Sequence, residues 1–213
     1  MANRYAASGP EAEFEPGSRN RVLRNLLGIR SVREMQRVES AALLSATRRA
    51  IGDTRADQRF TSDDIRGLHL AWLGEVYAWA GEYRTVNITK DGFPFAAAPQ
   101  IPRLMAGLKA GPLHRFTPCS PSSARVVARA LAEVHAELVL IHPFRDGNGR
   151  CARLVATLMA LQAGLPPLDF SGVHGRERRR YFEGVHAAMT GDLEPMIETF
   201  DRIIAKTLGA WRS

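Results

Sequence analysis

Residues 141–153 read Ile141-His142-Pro143-Phe144-Arg145-Asp146-Gly147-Asn148-Gly149-Arg150-Cys151-Ala152-Arg153. The apolar residues from Val126 to Ile141 recur at helical spacing. Pro143 biases the residue before it away from the α region, so this helix is expected to stop near His142 and leave the imidazole at a helix exit. Gly147-Asn148-Gly149 permits positive φ and lets N–H groups turn inward. A second helix is expected from Arg150, its N-terminus facing that turn, and such an end attracts anions through the backbone alone. Arg150 and Arg153, three apart, project from one face of it. Asp146 would repel a bare triphosphate but suits one that carries Mg²⁺ across its oxygens. An uncharged His142 could take a proton from an incoming hydroxyl. Each residue also has a plain alternative: a capped or packed histidine, an ordinary Gly-Asn-Gly turn, an aspartate in a turn, arginines on a solvated face. The order of the residues favours a nucleotide-phosphate site, because a solvated loop needs no pair of arginines directly behind a glycine turn.

Outward from this run, Arg84-Thr85-Val86-Asn87-Ile88-Thr89 is β-prone, Lys90-Asp91-Gly92 carries an Asp-Gly turn signal, and Phe93-Pro94-Phe95 follows with Pro94 suited to an edge. The pattern predicts an isolated two-stranded hairpin, marginal by itself and therefore kept for a surface purpose. The alternative is a connecting hairpin with Phe93 or Phe95 plugged into the core. Helices are predicted over 31–50, 62–80, 99–110, 121–141, 150–163, 176–189 and 193–208. Thr61-Ser62-Asp63-Asp64 reads as an N-terminal cap, and Gly164 with Pro166 and Pro167 as a stop. Leu154, Leu158 and Leu161 form a stripe expected to bury against the 126–141 helix. The first twenty residues, with Gly9, Pro10, Pro16 and Gly17, read as an irregular arm; 21–213 reads as one domain, since 213 residues at 45% hydrophobic content suffice for one sizeable core.

The stretch HPFRDGNGRCAR resembles the signature of the Fic (filamentation induced by cAMP) family, H-P-F-x-D/E-G-N-G/K-R with another Arg after two further residues, and it matches at every defining position. The resemblance implies a mainly α, compact Fic-type helical domain with one short β-hairpin flap, and transfer of AMP from ATP to a Ser, Thr or Tyr hydroxyl of a target protein. By the same resemblance His142 is the base, Phe144 an anchor of the loop and Asp146 the Mg²⁺ ligand. Gly147, Asn148 and Gly149 resemble the anion nest, Arg150 a phosphate contact and Arg153 the residue that orients the γ-phosphate. Gly149 favours the adenylyl direction, because the related Doc phosphotransferases carry Lys there. Lys90, Asp91, Gly92, Phe93 and Phe95 resemble the flap whose edge pairs with an extended stretch of the target. Arg24-Asn25-Leu26-Leu27-Gly28-Ile29, Trp79-Ala80-Gly81-Glu82-Tyr83-Arg84 and Gly191-Asp192-Leu193-Glu194-Pro195 resemble further, less specific landmarks.

Many Fic proteins restrain themselves with a Ser/Thr-x-x-x-Glu-Gly/Asn helix whose glutamate pairs with the second motif arginine. Here Thr190-Gly191-Asp192-Leu193-Glu194 ends in Pro195, which places Glu194 at a helix start and not on an inhibitory face. The resemblance is therefore to the toxin-like class restrained by a separate small antitoxin protein.

Composition narrows the rest. Lys and Arg number 29 against 22 Asp and Glu, a net charge of +7, which points to an acidic partner such as a nucleotide. Arg176-Glu177-Arg178-Arg179-Arg180 reads as a solvated helix start, and no zinc spacing, helix-turn-helix or RNA-binding signature argues for direct nucleic-acid binding. Cys119 and Cys151 are expected to be two reduced thiols, and the absence of an apolar leader or an eighteen-residue apolar run suggests a cytoplasmic protein with no membrane partner, delivery into another cell remaining compatible. Two other function classes stand beside adenylylation: transfer or removal of another nucleotide or phosphate moiety on the same scaffold, and a non-catalytic binding module.

Overall fold

Most of the described chain is helical, in segments whose apolar residues recur at about 3.6-residue spacing. The computed structural model describes residues 6–7, 11, 13–90 and 92–211. Contacts group the chain into two compact units, each from separate stretches: 1–53, 62–105 and 141–151 in one, 54–61, 106–140 and 152–213 in the other.

In the first unit, β1 (Ala6–Ala7) precedes α1 (Val32–Asp53), α2 (Ser62–Leu73), β2 (Ile88–Lys90), β3 (Phe93–Pro94) and most of α3 (Ile101–Leu108). Ser31 caps α1, its Oγ accepting from Glu34 N–H at 3.4 Å. Asp63 and Asp64 lie in the first turn of α2, where carboxylates complement the helix dipole. Met35 and Ala46 of α1 pack with Trp72 and Leu73 of α2 and with Val76 and Tyr77.

Two expectations change here. The predicted 62–80 helix ends at Leu73. Beyond it the chain makes successive tight turns, Val76 and Tyr77 N–H both donating to Leu73 O and Ala80 N–H to Tyr77 O. Val76, Tyr77 and Ala80 are buried with α2, so their apolar spacing mimics a helix although the backbone has turned. The hairpin is present, with Thr89 opposite Pro94 and Pro94 on the edge strand, but it is not isolated: Ala6 pairs with Thr89 and Ala7 with Ile88, giving an antiparallel order β1-β2-β3. Part of the arm expected to be irregular thus adds a strand. An open edge presents unpaired N–H and C=O groups to any nearby extended segment, a cue that two alanines do not carry in sequence.

In the second unit, a π-helical turn at Lys109–Leu113 leads into α4 (His114–Phe116), followed by α5 (Ala124–Ile141), α6 (Asn148–Gln162), α7 (Gly175–Ala188) and α8 (Glu194–Trp211); Ile141 and the first turn of α6 belong to the first unit. The predicted 99–110 helix therefore runs on to Phe116, Pro112 lying inside the wide turn, where its missing N–H is tolerated. Leu154 and Leu158 are buried as expected, whereas Leu161 is partly exposed and Val126, at the start of α5, is 56% exposed. The α7–α8 packing depends on Gly184, where an added Cβ would stand 3.2 Å from Met196 N. Cys119 and Cys151 are buried free thiols, raised by burial to about 11 and about 12, so both stay protonated. Among the described residues no helix is long and apolar enough to cross a membrane.

Candidate active site

His142 directly follows α5 and takes φ 53°. The proline does end the helix, but His142 adopts the left-handed region and not the extended one expected before proline, a conformation a non-glycine residue keeps only where its surroundings hold it. Arg84 supplies that hold: its backbone N–H donates to Pro143 O at 2.8 Å and its Nε to His142 O at 2.8 Å. His142 is 4% exposed, and its imidazole stacks on Phe95, ring centroids 3.6 Å apart and planes at 16°. Base candidate and flap are thereby in contact. Phe95 also packs against Val86 and Ile88, and meets Phe93 edge-on at 5.4 Å. Lys90 closes β2 and Gly92 takes φ 80° in the turn; Asp91 lies outside the described residues.

The loop that follows is clamped from within. Asn148 accepts from Phe144 N–H and donates back to Phe144 O, both at 2.8 Å, and is 1% exposed. Its side chain is thus a loop staple, leaving only its backbone for an anion. Phe144 is fully buried, stacked on His69 at 3.9 Å. Gly147 takes φ 83°, and a Cβ there would stand 2.7 Å from the Trp72 ring. Gly149 differs from expectation: α6 begins at Asn148, two residues early, so Gly149 is helical and needs no positive φ. The glycine turn expected to hold an anion is therefore one positive-φ glycine followed by a helix's first turn, whose N–H groups have no partner within the helix. Asp146 Oδ1 accepts from Gly147 N–H at 2.5 Å and lies 3.8 Å from Arg150 Nη2.

Arg150 lies over Trp72, 4.4 Å from guanidinium carbon to ring centroid, and donates from Nη1 to Glu39 Oε2 at 2.7 Å. Glu39 is buried in α1 and also accepts from Tyr77 O–H at 2.7 Å. Arg153, on the next turn of α6, belongs to the second unit, where it sits over Phe170 and Tyr181 at 5.5 and 5.6 Å; its buried Nε makes no hydrogen bond to protein. Glu194 stands at the start of α8 and pairs with Arg125.

No site role was legible in sequence for four contributors: Glu39, His69, Trp72 and Arg84, the last standing only within the hairpin run and the 79–84 landmark. None falls in the motif, and a buried carboxylate on a helix face carries no local signal. His69 Nδ1 accepts from Gly81 N–H at 2.9 Å, which puts the ring proton on Nε2, 3.0 Å from Asp146 O. Burial lowers His69 from the ordinary 6.5 to about 4 against the opposing pull of Asp146, and burial also lowers His135, whose Nε2 meets Tyr181 O–H at 2.8 Å, to about 4. Both are neutral in the fold, and the unfolded chain takes up protons first. Their contribution to stability is full above pH 6.5 and is lost as pH falls toward about 4, by a few kcal/mol. Urea unfolding across that range should show falling stability, and His69→Gln should flatten the slope; an unchanged slope in that variant would refute the assignment.

As for a metal, Asp146 offers a hard carboxylate beside a helix N-terminus, and among the described residues no cluster of three or more His, Cys, Asp or Glu could cage an ion. A lone carboxylate of this kind would suit a hard divalent cation such as Mg²⁺, which Asp146 would hold.

The Fic/DOC family model matches residues 59–160. Sinorhizobium fredii has a relative named "Probable protein adenylyltransferase y4lH", 31% identical over 187 residues that cover 86% of this chain and 91% of the relative. The chain belongs to the Fic/DOC family. A second relative, "Protein adenylyltransferase VbhT" of Bartonella schoenbuchensis, is 33% identical over 84% of this chain, and a third, "Protein adenylyltransferase Fic" of Nematostella vectensis, 30% identical over 72%. This chain spans 36% and 34% of the lengths of those two. Among solved structures, the N-terminal Fic domain of a VirB-translocated Bep effector protein from Bartonella quintana, with bound ADP, superposes with TM-score 0.71 at 25% identity, covering 89% of this chain and 92% of that one. The BepC protein of Bartonella tribocorum, with bound AMPPNP, shares the fold at TM-score 0.71 and 23% identity, with 89% and 94% coverage.

Proposed function

We propose that this Fic/DOC protein is a protein adenylyltransferase that moves AMP from ATP to a Ser, Thr or Tyr hydroxyl of a target protein. The observation that carries the reading is the stacking of His142 on Phe95 of the flap, four residues before an aspartate and a glycine turn that open a helix N-terminus. In this scheme His142 accepts the proton of the target hydroxyl, the oxygen attacks the α-phosphorus, and pyrophosphate leaves. The N–H groups of Asn148, Gly149 and Arg150 and the Arg150 guanidinium receive phosphate oxygens. Arg153 orients the γ-phosphate, a role supported by its orphaned Nε. When bound at Asp146, Mg²⁺ supplies charge neutralisation on the phosphates. The flap, from Lys90 to Phe95, presents the extended acceptor segment. The relatives' names support the reaction class.

Restraint by a separate small antitoxin is part of the proposal. The single glutamate with the inhibitory spacing, Glu194, is paired with Arg125 and does not serve Arg153. A cytoplasmic site of action, in its own or a recipient cell, suits an ATP-dependent protein with two protonated thiols.

The test compares α-labelled with γ-labelled ATP on bacterial lysate proteins, with and without EDTA. Label from the α position alone, abolished by EDTA, is expected. Label from the γ position would replace the proposal with phosphate transfer, and EDTA-resistant labelling would remove the metal from it.

A further inference from the structure

Arg84 has no place in the Fic signature, yet it touches more of the site's backbone than any motif residue described above. It is 2% exposed. Its guanidinium donates from Nε to His142 O at 2.8 Å, from Nη1 to Val86 O at 2.6 Å, and from Nη2 to Ala96 O at 2.6 Å and Ile141 O at 3.4 Å. A buried cation is costly unless it is fully hydrogen-bonded, and four carbonyls meet that need here.

The identity of those carbonyls matters more than their number. Ile141 and His142 lie at the C-terminal end of α5, where orphaned carbonyls gather negative partial charge. Val86 stands two residues before β2, and Ala96 two residues after β3. One planar group therefore ties both roots of the hairpin to the residue that carries the base. His142 is held through its carbonyl in a left-handed conformation, and Phe95, whose ring covers the imidazole, is adjacent to the carbonyl of Ala96. A lysine carries its three N–H donors on one nitrogen and cannot span carbonyls that Arg84 reaches from Nε, Nη1 and Nη2 separately.

We propose that Arg84 is a positioning residue for the transfer step: its fork fixes the distance between the His142 imidazole and the flap, and so between base and presented hydroxyl. This rests on the assignment of His142 as the base. Arg84 itself touches neither nucleotide nor acceptor. Its loss therefore acts on turnover and leaves nucleotide binding in place.

The experiment measures kcat for transfer from α-labelled ATP, ATP affinity and thermal unfolding for the full chain and for Arg84→Lys, Arg84→Ala and His142→Ala. For Arg84→Lys we expect a folded protein with ATP affinity changed by less than about 3-fold and kcat reduced about 100-fold, the size of effect that misplacing a reacting group by about 1 Å produces. Millimolar ethylguanidinium should restore part of kcat to Arg84→Ala and none to Arg84→Lys, whose side chain still fills the space. A wild-type kcat in Arg84→Lys overturns the proposal. So does a loss of kcat that runs in step with loss of ATP binding or of the fold without guanidinium rescue, because Arg84 would then serve stability alone. Transfer by His142→Ala at the wild-type rate would instead sink the base assignment, whatever the Arg84 variants do.

Discussion

His142→Ala is expected to lower the rate of AMP transfer about 10²- to 10⁴-fold, the usual contribution of a positioned general base, while ATP affinity stays close to wild type. Affinity is spared because the groups proposed to hold the phosphates, from Gly147 onward, keep their own supports: Asn148 staples Phe144, and Glu39 holds Arg150. The fold should survive as well. Alanine keeps the backbone carbonyl that Arg84 grips, and what is lost is the ring stacked on Phe95. Initial rates with α-labelled ATP and a titration of nucleotide binding separate the two quantities. A variant that binds ATP and still transfers at the wild-type rate would show that the imidazole does not take the proton.

Gly147→Val should be more damaging and in a different way. The position needs φ 83°, which a β-branched residue reaches only with strain, and a Cβ there would stand 2.7 Å from the Trp72 ring and 3.2 Å from His69 Nε2. Neither neighbour has room to retreat, since Trp72 donates to Glu39 O and His69 is bonded on both nitrogens. The loop must move, carrying Asp146 and the first turn of α6 with it. We expect about 3 kcal/mol of lost stability and loss of both ATP binding and transfer. Denaturant unfolding and nucleotide titration check this, and a variant of wild-type stability with intact binding would show that the loop is looser than its packing.

The sequence was most legible where chemistry and backbone preference coincide in one short run. In HPFRDGNGR, proline ends a helix, glycine permits a turn, and a histidine, an aspartate and an arginine are the groups proposed to react or to bind phosphate, so both the break after α5 and the candidate site could be read locally. The hairpin was legible for the same reason, Asp-Gly lying between β-prone residues. Legibility failed where residues far apart in sequence meet. Buried Val76, Tyr77 and Ala80 continue the apolar spacing of α2, and only their packing reveals turns in place of helix. The role of Asn148 likewise escaped: next to glycines it reads as part of an anion nest, but its side chain is spent on Phe144.

By itself, then, the sequence determined the helical class, the hairpin, the family resemblance and a set of candidate residues for phosphate chemistry, because these depend on local backbone preference and on the chemical nature of side chains. Tertiary structure decided what holds them. Ala6 and Ala7 complete the sheet, Glu39 from α1 restrains Arg150, His69 fixes the carbonyl of Asp146, and Arg84 binds the flap to His142. Buried polar groups must find partners wherever the fold brings them together, and sequence separations such as the 111 residues between Glu39 and Arg150 leave no periodic or local trace of that meeting.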